Sequence, residues 1–450
     1  MFSRAEVVRV LLGFVAICVT VPVFAQVEPS ATGGAGGALD ESEMMTPPPV
    51  SGTPYASGAG SDERSNYLGV NLAISPSYID NVSPGASSTP VSDVTYAILP
   101  GVSFDYSASR QKEQFSYSPS FIFYEPTTSL DTVDHNASAA FQYRFSPRVS
   151  VSAQDSFTRT SNVYDSNYLF SNPISGSTLT PTPTVIAAFA EQMNNTVDGV
   201  LSYQFGLNAM IGGGGSYTIF SLPNPTEAAG LYDSHEESGS VFFNRRLSRA
   251  QYFGVQYQYS NVLAYPPAGT VDTQIHSLLP FYTFYFNRTF SISITAGIQH
   301  VDNSGTGIPE TASWSPSGTL SLGWQSGRGS LAGNFTRTVT AGGGLLGAYN
   351  SNSVSAFAGW KLTNTWTTAL TLGYSSIGSD TPSTILSFQN GDILTAGGSI
   401  QHSIGEHLSA NIQYQRLHET YSGISSINAD PDSNREALTI SYQFRRPLGR

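Results

Sequence analysis

The sequence predicts an all-β fold: a closed antiparallel barrel of about 18 strands, within a range of about 16–18, that crosses a membrane. Three observations lead there. From Tyr67 onward the side chains alternate with a period of two, the segments are joined by two alternating classes of connection, and aromatic residues slightly outnumber charged ones.

The composition sets the solvent. Phe 25, Tyr 24 and Trp 4 stand against 20 basic and 32 acidic residues, and charge makes up only 12% of the 450-residue chain, where an ordinary globular domain carries about 25%. Such a chain is neither a disordered acidic polymer nor a bundle of apolar helices. Lys112 and Lys361 are its only lysines, and a net charge of −12 argues against a nucleic-acid partner held through phosphates.

Residues 1–25 read as a secretory signal peptide. Arg4 and Arg9 form its positive region, Val10 to Val21 its apolar stretch, and Val23-Phe24-Ala25 ends in the small residue that cleavage needs. Cys18, the single cysteine, lies inside that stretch after Ile17, which does not suit a lipoprotein cleavage site. The mature chain is therefore expected to have no disulfide and no thiolate chemistry. Residues 26–64 read as a Gly/Ala/Pro-rich disordered linker, with Pro47-Pro48-Pro49 at its centre.

Residues 65–450 carry the alternation. Leu408, Ala410, Ile412 and Tyr414 interleave with Ser409, Asn411 and Gln413; Leu438, Ile440, Tyr442 and Phe444 interleave with Thr439, Ser441 and Gln443. Strict alternation places the two sets on opposite faces of a strand. The only weak helical stripe runs from Val185 to Met193.

Short turns are expected at 109–113, 146–148, 206–208, 246–250, 287–289, 326–329, 363–365 and 405–407. Longer polar connections are expected near 83–91, 126–133, 163–195, 222–234, 264–272, 302–311, 341–348, 376–390 and 420–433. Eight turns interleaved with nine loops imply about 18 strands, with about 21 residues for each strand and its connection, which suits strands of about 9–11 residues crossing a bilayer. Closure is required because a sheet edge in lipid leaves backbone groups unpaired. Aromatic residues gather beside the turns, among them Phe141, Tyr143, Phe145, Tyr203, Phe205, Phe284, Phe286, Trp360 and Trp366.

Charge assigns the two ends. Arg110, Arg144, Arg148, Arg245, Arg246, Arg328, Lys361 and Arg445 fall on the turn side, whereas Asp131, Glu227, Asp233, Asp272, Asp302, Glu310 and Asp432 fall on the loop side. An acidic outer mouth concentrates cations. Arg159, Arg337 and Arg416 sit about ten residues beyond a turn, on the face shared with Phe157, Phe335 and Tyr414. They are candidate contacts for lipid-headgroup phosphates.

Taken together, these features and the recurring hairpins Phe145-Ser-Pro-Arg-Val-Ser, Phe243-Asn-Arg-Arg-Leu-Ser and Phe286-Asn-Arg-Thr-Phe-Ser make residues 65–450 resemble the porin-like bacterial outer-membrane barrels, particularly β-barrel porins of the exopolysaccharide-associated type. The resemblance implies an outer-membrane location, lipopolysaccharide and the barrel assembly machinery as partners, and a homo-oligomer as an open option. It also implies a terminal aromatic assembly signal, for which Phe444 is the candidate, although Arg445 to Arg450 come after it. In such proteins the loop at the place of 163–195 folds into the lumen. Asp165 and Glu191 are then candidate carboxylates of a pore constriction, with Pro183 to Asn194 as a short helix, the alternative being a long surface loop.

Catalytic constellations are not found. The histidines at 135, 235, 276, 300, 402, 407 and 418 show no metal-ligand spacing, and no Gly-x-Ser-x-Gly elbow occurs. Asp430-Pro-Asp432-Ser-Asn434 begins like a calcium loop but has Arg435 where glycine is needed. The expected function is a non-enzymatic, cofactor-free channel for passive diffusion of small hydrophilic solutes with a preference for cations. The alternative is a structural or export-partner barrel, without an open pore, that binds or helps secrete surface polysaccharide.

Overall fold

The computed structural model describes residues 66–82, 90–161, 191–224, 230–267, 269–287, 289–306, 308–379, 390–422 and 432–448. The expected leader and linker lie outside them. The strands are β1 (Tyr67–Ile79), β2 (Asp93–Ser107), β3 (Gln111–Tyr124), β4 (Thr132–Ser146), β5 (Val149–Thr160) and β6 (Gln192–Gln204). They continue with β7 (Ala209–Ser221), β8 (Ser234–Ser248), β9 (Gln251–Ala264), β10 (Val271–Tyr285), β11 (Phe290–Gly305) and β12 (Ile308–Gln325). The last six are β13 (Gly329–Gly342), β14 (Leu345–Lys361), β15 (Trp366–Ser379), β16 (Asn390–Ile404), β17 (Leu408–Ser422) and β18 (Asp432–Pro447).

All belong to one 18-stranded antiparallel sheet in which each strand pairs with its sequence neighbours. β1 also pairs with β18, from Tyr67↔Pro447 to Ile79↔Arg435, and so closes the barrel. No backbone edge of the wall is left at the seam between first and last strands, which is what lipid demands.

The two faces separate as the alternation requires. Along β1, Val70, Ile74 and Tyr78 point outward and exposed, while Ala73, Ser75 and Ser77 point inward and are buried. The outward set makes an apolar band: Leu278, Ile294, Leu322, Leu370, Ile400, Ile412 and Ile440 all stand exposed on it. At the turn end an aromatic girdle closes the band, with ring centroids 4.9 Å apart for Tyr143 and Phe145, 4.5 Å for Phe284 and Phe286, and 6.3 Å for Trp324 and Trp360. The band is interrupted on one side by Asp155, which accepts a bond from Asn195 Nδ2 at 2.9 Å, and by exposed Glu237.

All eight expected turns are present. Three expectations on the loop side are corrected. The segment 302–311 is no loop, because β11 runs to Gly305 and β12 resumes at Ile308. The segment 341–348 is likewise a tight hairpin, with β13 reaching Gly342 and β14 starting at Leu345. Gln192, Met193 and Asn194 belong to β6 and pair with Thr160, Arg159 and Thr158, so the expected helix does not extend to them; its earlier part lies outside the described residues.

The face assignment has a direct test. Ile412, 65% exposed at the middle of the outward face of β17, is expected to cost about 2–4 kcal/mol of barrel stability when replaced by arginine. Gln413→Arg, one residue on and inward, is expected to cost far less. Folding titrations into lipid vesicles measure both.

Candidate functional site: the closed outer mouth of the barrel

The lumen is lined by hydroxyls that pair across strands. Ser116 and Ser138, Ser150 and Ser202, Ser216 and Ser238, and Ser409 and Ser441 each stand 2.7 Å apart, and Ser77 and Thr95 2.6 Å apart. These side chains offer hydrogen bonds without fixed charge. Toward the turn end the inward residues Gln114, Ser116, Ser118, Ser138, Ser152 and Gln154 are exposed. Toward the loop end the inward residues are buried.

The hairpin of β13 and β14 contributes to this burial. Pairing between β12 and β13 runs only from Gln325↔Ser330 to Gly318↔Arg337, whereas β13 stays paired with β14 up to its tip. Beyond Arg337 the hairpin leaves the wall and folds inward. Val339, whose position in the alternation would face lipid, packs instead on Ile275 of β10 and Val301 of β11.

Side chains replace the lost ladder. Gln299 Oε1 on β11 accepts from Val339 N at 2.7 Å and from Thr338 Oγ1 at 3.3 Å, while Gln299 Nε2 donates to Ser277 Oγ at 3.0 Å. Ser317 Oγ donates to the Arg337 carbonyl at 3.2 Å, and Ser315 Oγ to Asn350 Oδ1 at 3.3 Å. A buried amide without such a partner costs about 1–3 kcal/mol, and these bonds offset that cost where β13 departs from the wall.

The tip needs glycine. Gly342, Gly343 and Gly344 have φ of 81°, 60° and 90°, the left-handed region that other residues enter at a cost. The tip also lies close against the β7–β8 side of the barrel: a Cβ at Gly344 would stand 3.3 Å from Leu231 Cβ and 3.4 Å from Phe220 Cε1. Tyr232 N donates to the Gly344 carbonyl at 2.9 Å, which fastens the tip to the connection between β7 and β8.

Behind the tip, Leu345 and Tyr349, 3% and 1% exposed, join one apolar cluster with Ile79, Ile122, Tyr124, Phe220, Leu222, Leu231, Ile377, Ile393, Leu417 and Tyr421. Every strand residue of that cluster sits at the loop end of its strand. Among the described residues the barrel is a cup with a polar lining, open on the turn side and closed on the loop side, where its own hairpin packs.

The residues singled out from sequence fall elsewhere. Asp165 lies outside the described residues. Glu191, just before β6, forms an ion pair with Arg159 Nε, whose side chain is on the outward face of β5. Arg416 and Arg337 also take outward positions; Arg416 reaches Asp432 at 3.4 Å, and His418 Nδ1 lies 2.9 Å from the same carboxylate. Phe444 is outward on β18, opposite Val70 in the ladder.

Among the described residues no group of acidic, histidine or cysteine side chains could hold a metal ion. Five of the scattered histidines, His135, His235, His276, His300 and His418, form instead a belt at the loop-side end of the outer face. Tyr117, Tyr265 and Tyr257 hydroxyls stand 3.0, 2.7 and 2.8 Å from Nδ1 of His135, His235 and His276, and His300 Nδ1 is 3.1 Å from Asp302. The signal for this belt was in the sequence, because each of these histidines shares the alternation of the aromatic face.

An apolar band bounded by a girdle at one end and a polar belt at the other decides the environment. The molecule is an outer-membrane β-barrel. No family model matches the chain, and no curated protein matches it. Among solved structures, the outer membrane protein OpdK of Pseudomonas aeruginosa aligns at 10% identity over 84% of this chain and 99% of that one, with a TM-score of 0.40. OccK2 (OpdF) of Pseudomonas aeruginosa in complex with glucuronate aligns at 11% identity over 84% and 98%, with a TM-score of 0.41. A bacterial polysaccharide outer membrane secretin aligns at 9% identity over 84% and 99%, with a TM-score of 0.35.

The position of the hairpin can be trapped in this barrel, whose described residues contain no cysteine. A Cβ at Gly342 would lie 3.8 Å from Ser234 Cβ, within the span of a disulfide. Gly342→Cys with Ser234→Cys is expected to cross-link on oxidation, despite about 1–2 kcal/mol of backbone strain at residue 342. Loss of free thiol on mass analysis reports it; two free thiols after mild oxidation would show that the tip lies elsewhere.

Proposed function

We propose that the protein is a gated outer-membrane channel for small hydrophilic solutes, with a preference for cations. The observation that carries this reading is the hydroxyl-lined lumen, open on the turn side and stoppered by the β13–β14 hairpin. A wall of Ser, Thr, Gln and Asn suits water, ions and neutral solutes, and 18 strands enclose a lumen wide enough for them once the stopper moves. The preference for cations rests on the acidic residues of the loop side, including Asp131, Asp272, Asp302 and Asp432, against the basic turn rim.

The stopper also favours a second reading, a structural or export-partner barrel whose lumen stays closed. Planar bilayers separate the two. Shortening the tip by replacing Gly342–Gly347 with Asn-Gly is expected to raise conductance several-fold, with a reversal potential in a salt gradient on the cation side. Folded protein, shown by heat-modifiable gel migration, with no conductance steps in either form would leave the second reading standing. An anion-selective reversal potential would remove only the ionic preference.

Arg159, Arg337 and Arg416 are proposed to meet headgroup phosphates of lipopolysaccharide at the outer rim, the position their outward placement supports. Replacing all three by glutamine is expected to lower the thermal stability of the barrel in lipopolysaccharide-containing bilayers more than in phosphatidylcholine. Equal losses in both lipids would argue against the contact. Phe444 is proposed as the residue read by the barrel assembly machinery.

A further inference from the structure

Glu419 is a buried acid at the seat of the stopper that apolar packing does not account for. It lies on the inward face of β17 between Leu417 and Tyr421, with Ile393 of β16 directly opposite in the ladder. Those three residues belong to the same apolar cluster as Leu345 and Tyr349 of the hairpin. Glu419 is 0% exposed, and neither carboxylate oxygen has a hydrogen-bond partner among the described residues.

Two other buried carboxylates at this end of the barrel are satisfied. Asp134 accepts from Thr160 Oγ1 at 2.8 Å and Ser161 N at 3.2 Å, and Asp93 from the backbone N–H of Glu125 and Thr127, each at 3.1 Å. Those acids hold loops. Glu419 holds no group among the described residues.

An unpartnered carboxyl group in a dry apolar cluster is unfavourable in either protonation state. The anion has lost its hydration, and the neutral acid leaves its O–H and C=O unpaired. A leucine there would keep the stopper shut at lower cost. Withdrawal of the hairpin opens the cluster to water and removes the penalty, and it places a carboxylate on the wall of the mouth where a permeating ion must pass.

We propose that Glu419 is the cation-binding residue of the gate. In the closed state its unpaired burial weakens the stopper. In the open state its carboxylate directly coordinates an alkali cation or the ammonium group of a cationic solute. This rests on the channel reading above and names the site that makes such a channel selective.

The test uses the full barrel in planar bilayers with a potassium chloride gradient, in the native form, the tip-shortened form and the double variant Ser234→Cys with Gly342→Cys, cross-linked and then reduced. In tip-shortened protein, Glu419→Gln is expected to lower the potassium-to-chloride permeability ratio by about threefold or more, and Glu419→Asp to retain most of it. In the form with the intact tip, Glu419→Leu is expected to lower the open probability, and reduction of the cross-link to restore opening to a higher level where Glu419 is present than where leucine replaces it. An unchanged permeability ratio in folded Glu419→Gln protein would overturn the proposal while leaving the channel standing. Absence of conductance in both tip-shortened and reduced protein would overturn the channel and the proposal together.

Discussion

Within lipid, a backbone N–H or carbonyl has no water to turn to, and each one left unpaired costs several kcal/mol. That constraint fixes the architecture. It requires 18 strands to be paired on both edges, β1 to close on β18 through the whole length of the ladder, and the connections to be confined to the two ends. It also explains where the structure can depart from regularity. The β12–β13 ladder stops at Gly318 and Arg337, level with the belt that includes Tyr374 and Asp392, which bond at 2.8 Å. Below that level β13 is held in the wall; at and above it, headgroups and water can serve an exposed strand edge.

The inward hairpin solves a second problem, again through hydrogen bonds. A strand that leaves the wall gives up one ladder and presents its former lipid face to the lumen. Gln299, Ser315 and Ser317 supply polar partners to the hairpin from the inner faces of β11 and β12. Val339, Leu345 and Tyr349 supply apolar area for the loop-end residues of strands that would otherwise line a wet lumen. Loop-end Ile, Leu and Tyr at inward positions and an apolar tip on the hairpin are therefore two halves of one contact.

Much of this was legible from residues alone. Period-two alternation located the strands, and polar or charged turn residues beside aromatic pairs located all eight turns. The hairpin was not legible, for a physical reason. Gly342-Gly343-Gly344 signals a turn whether the tip points outward or inward, and alternation names the two faces of a strand without saying which surroundings each face meets after the strand leaves the wall. The clue lay in the residues just after the glycines: Leu345 and Leu346 are unsuited to a solvent-facing tip, and Ile79, Ile122, Ile377, Ile393 and Leu417 are unsuited to a wet lumen. Each is unremarkable in its own strand, and only three-dimensional register brings them together.

That distribution also bears on how firmly the mouth is shut. The stopper is held by many small apolar contacts, by a few hydrogen bonds to Gln299 and Gly344, and by no ion pair among the described residues of the hairpin tip. Apolar contacts are non-directional and tolerate sliding, whereas the glycines that shape the tip give its backbone more freedom than any other residue. A plug meant to be permanent would gain from a side-chain ion pair or a branched residue at the tip. This one combines a glycine-rich tip with an unpaired buried carboxylate at its seat, and both features lower the cost of leaving the closed position.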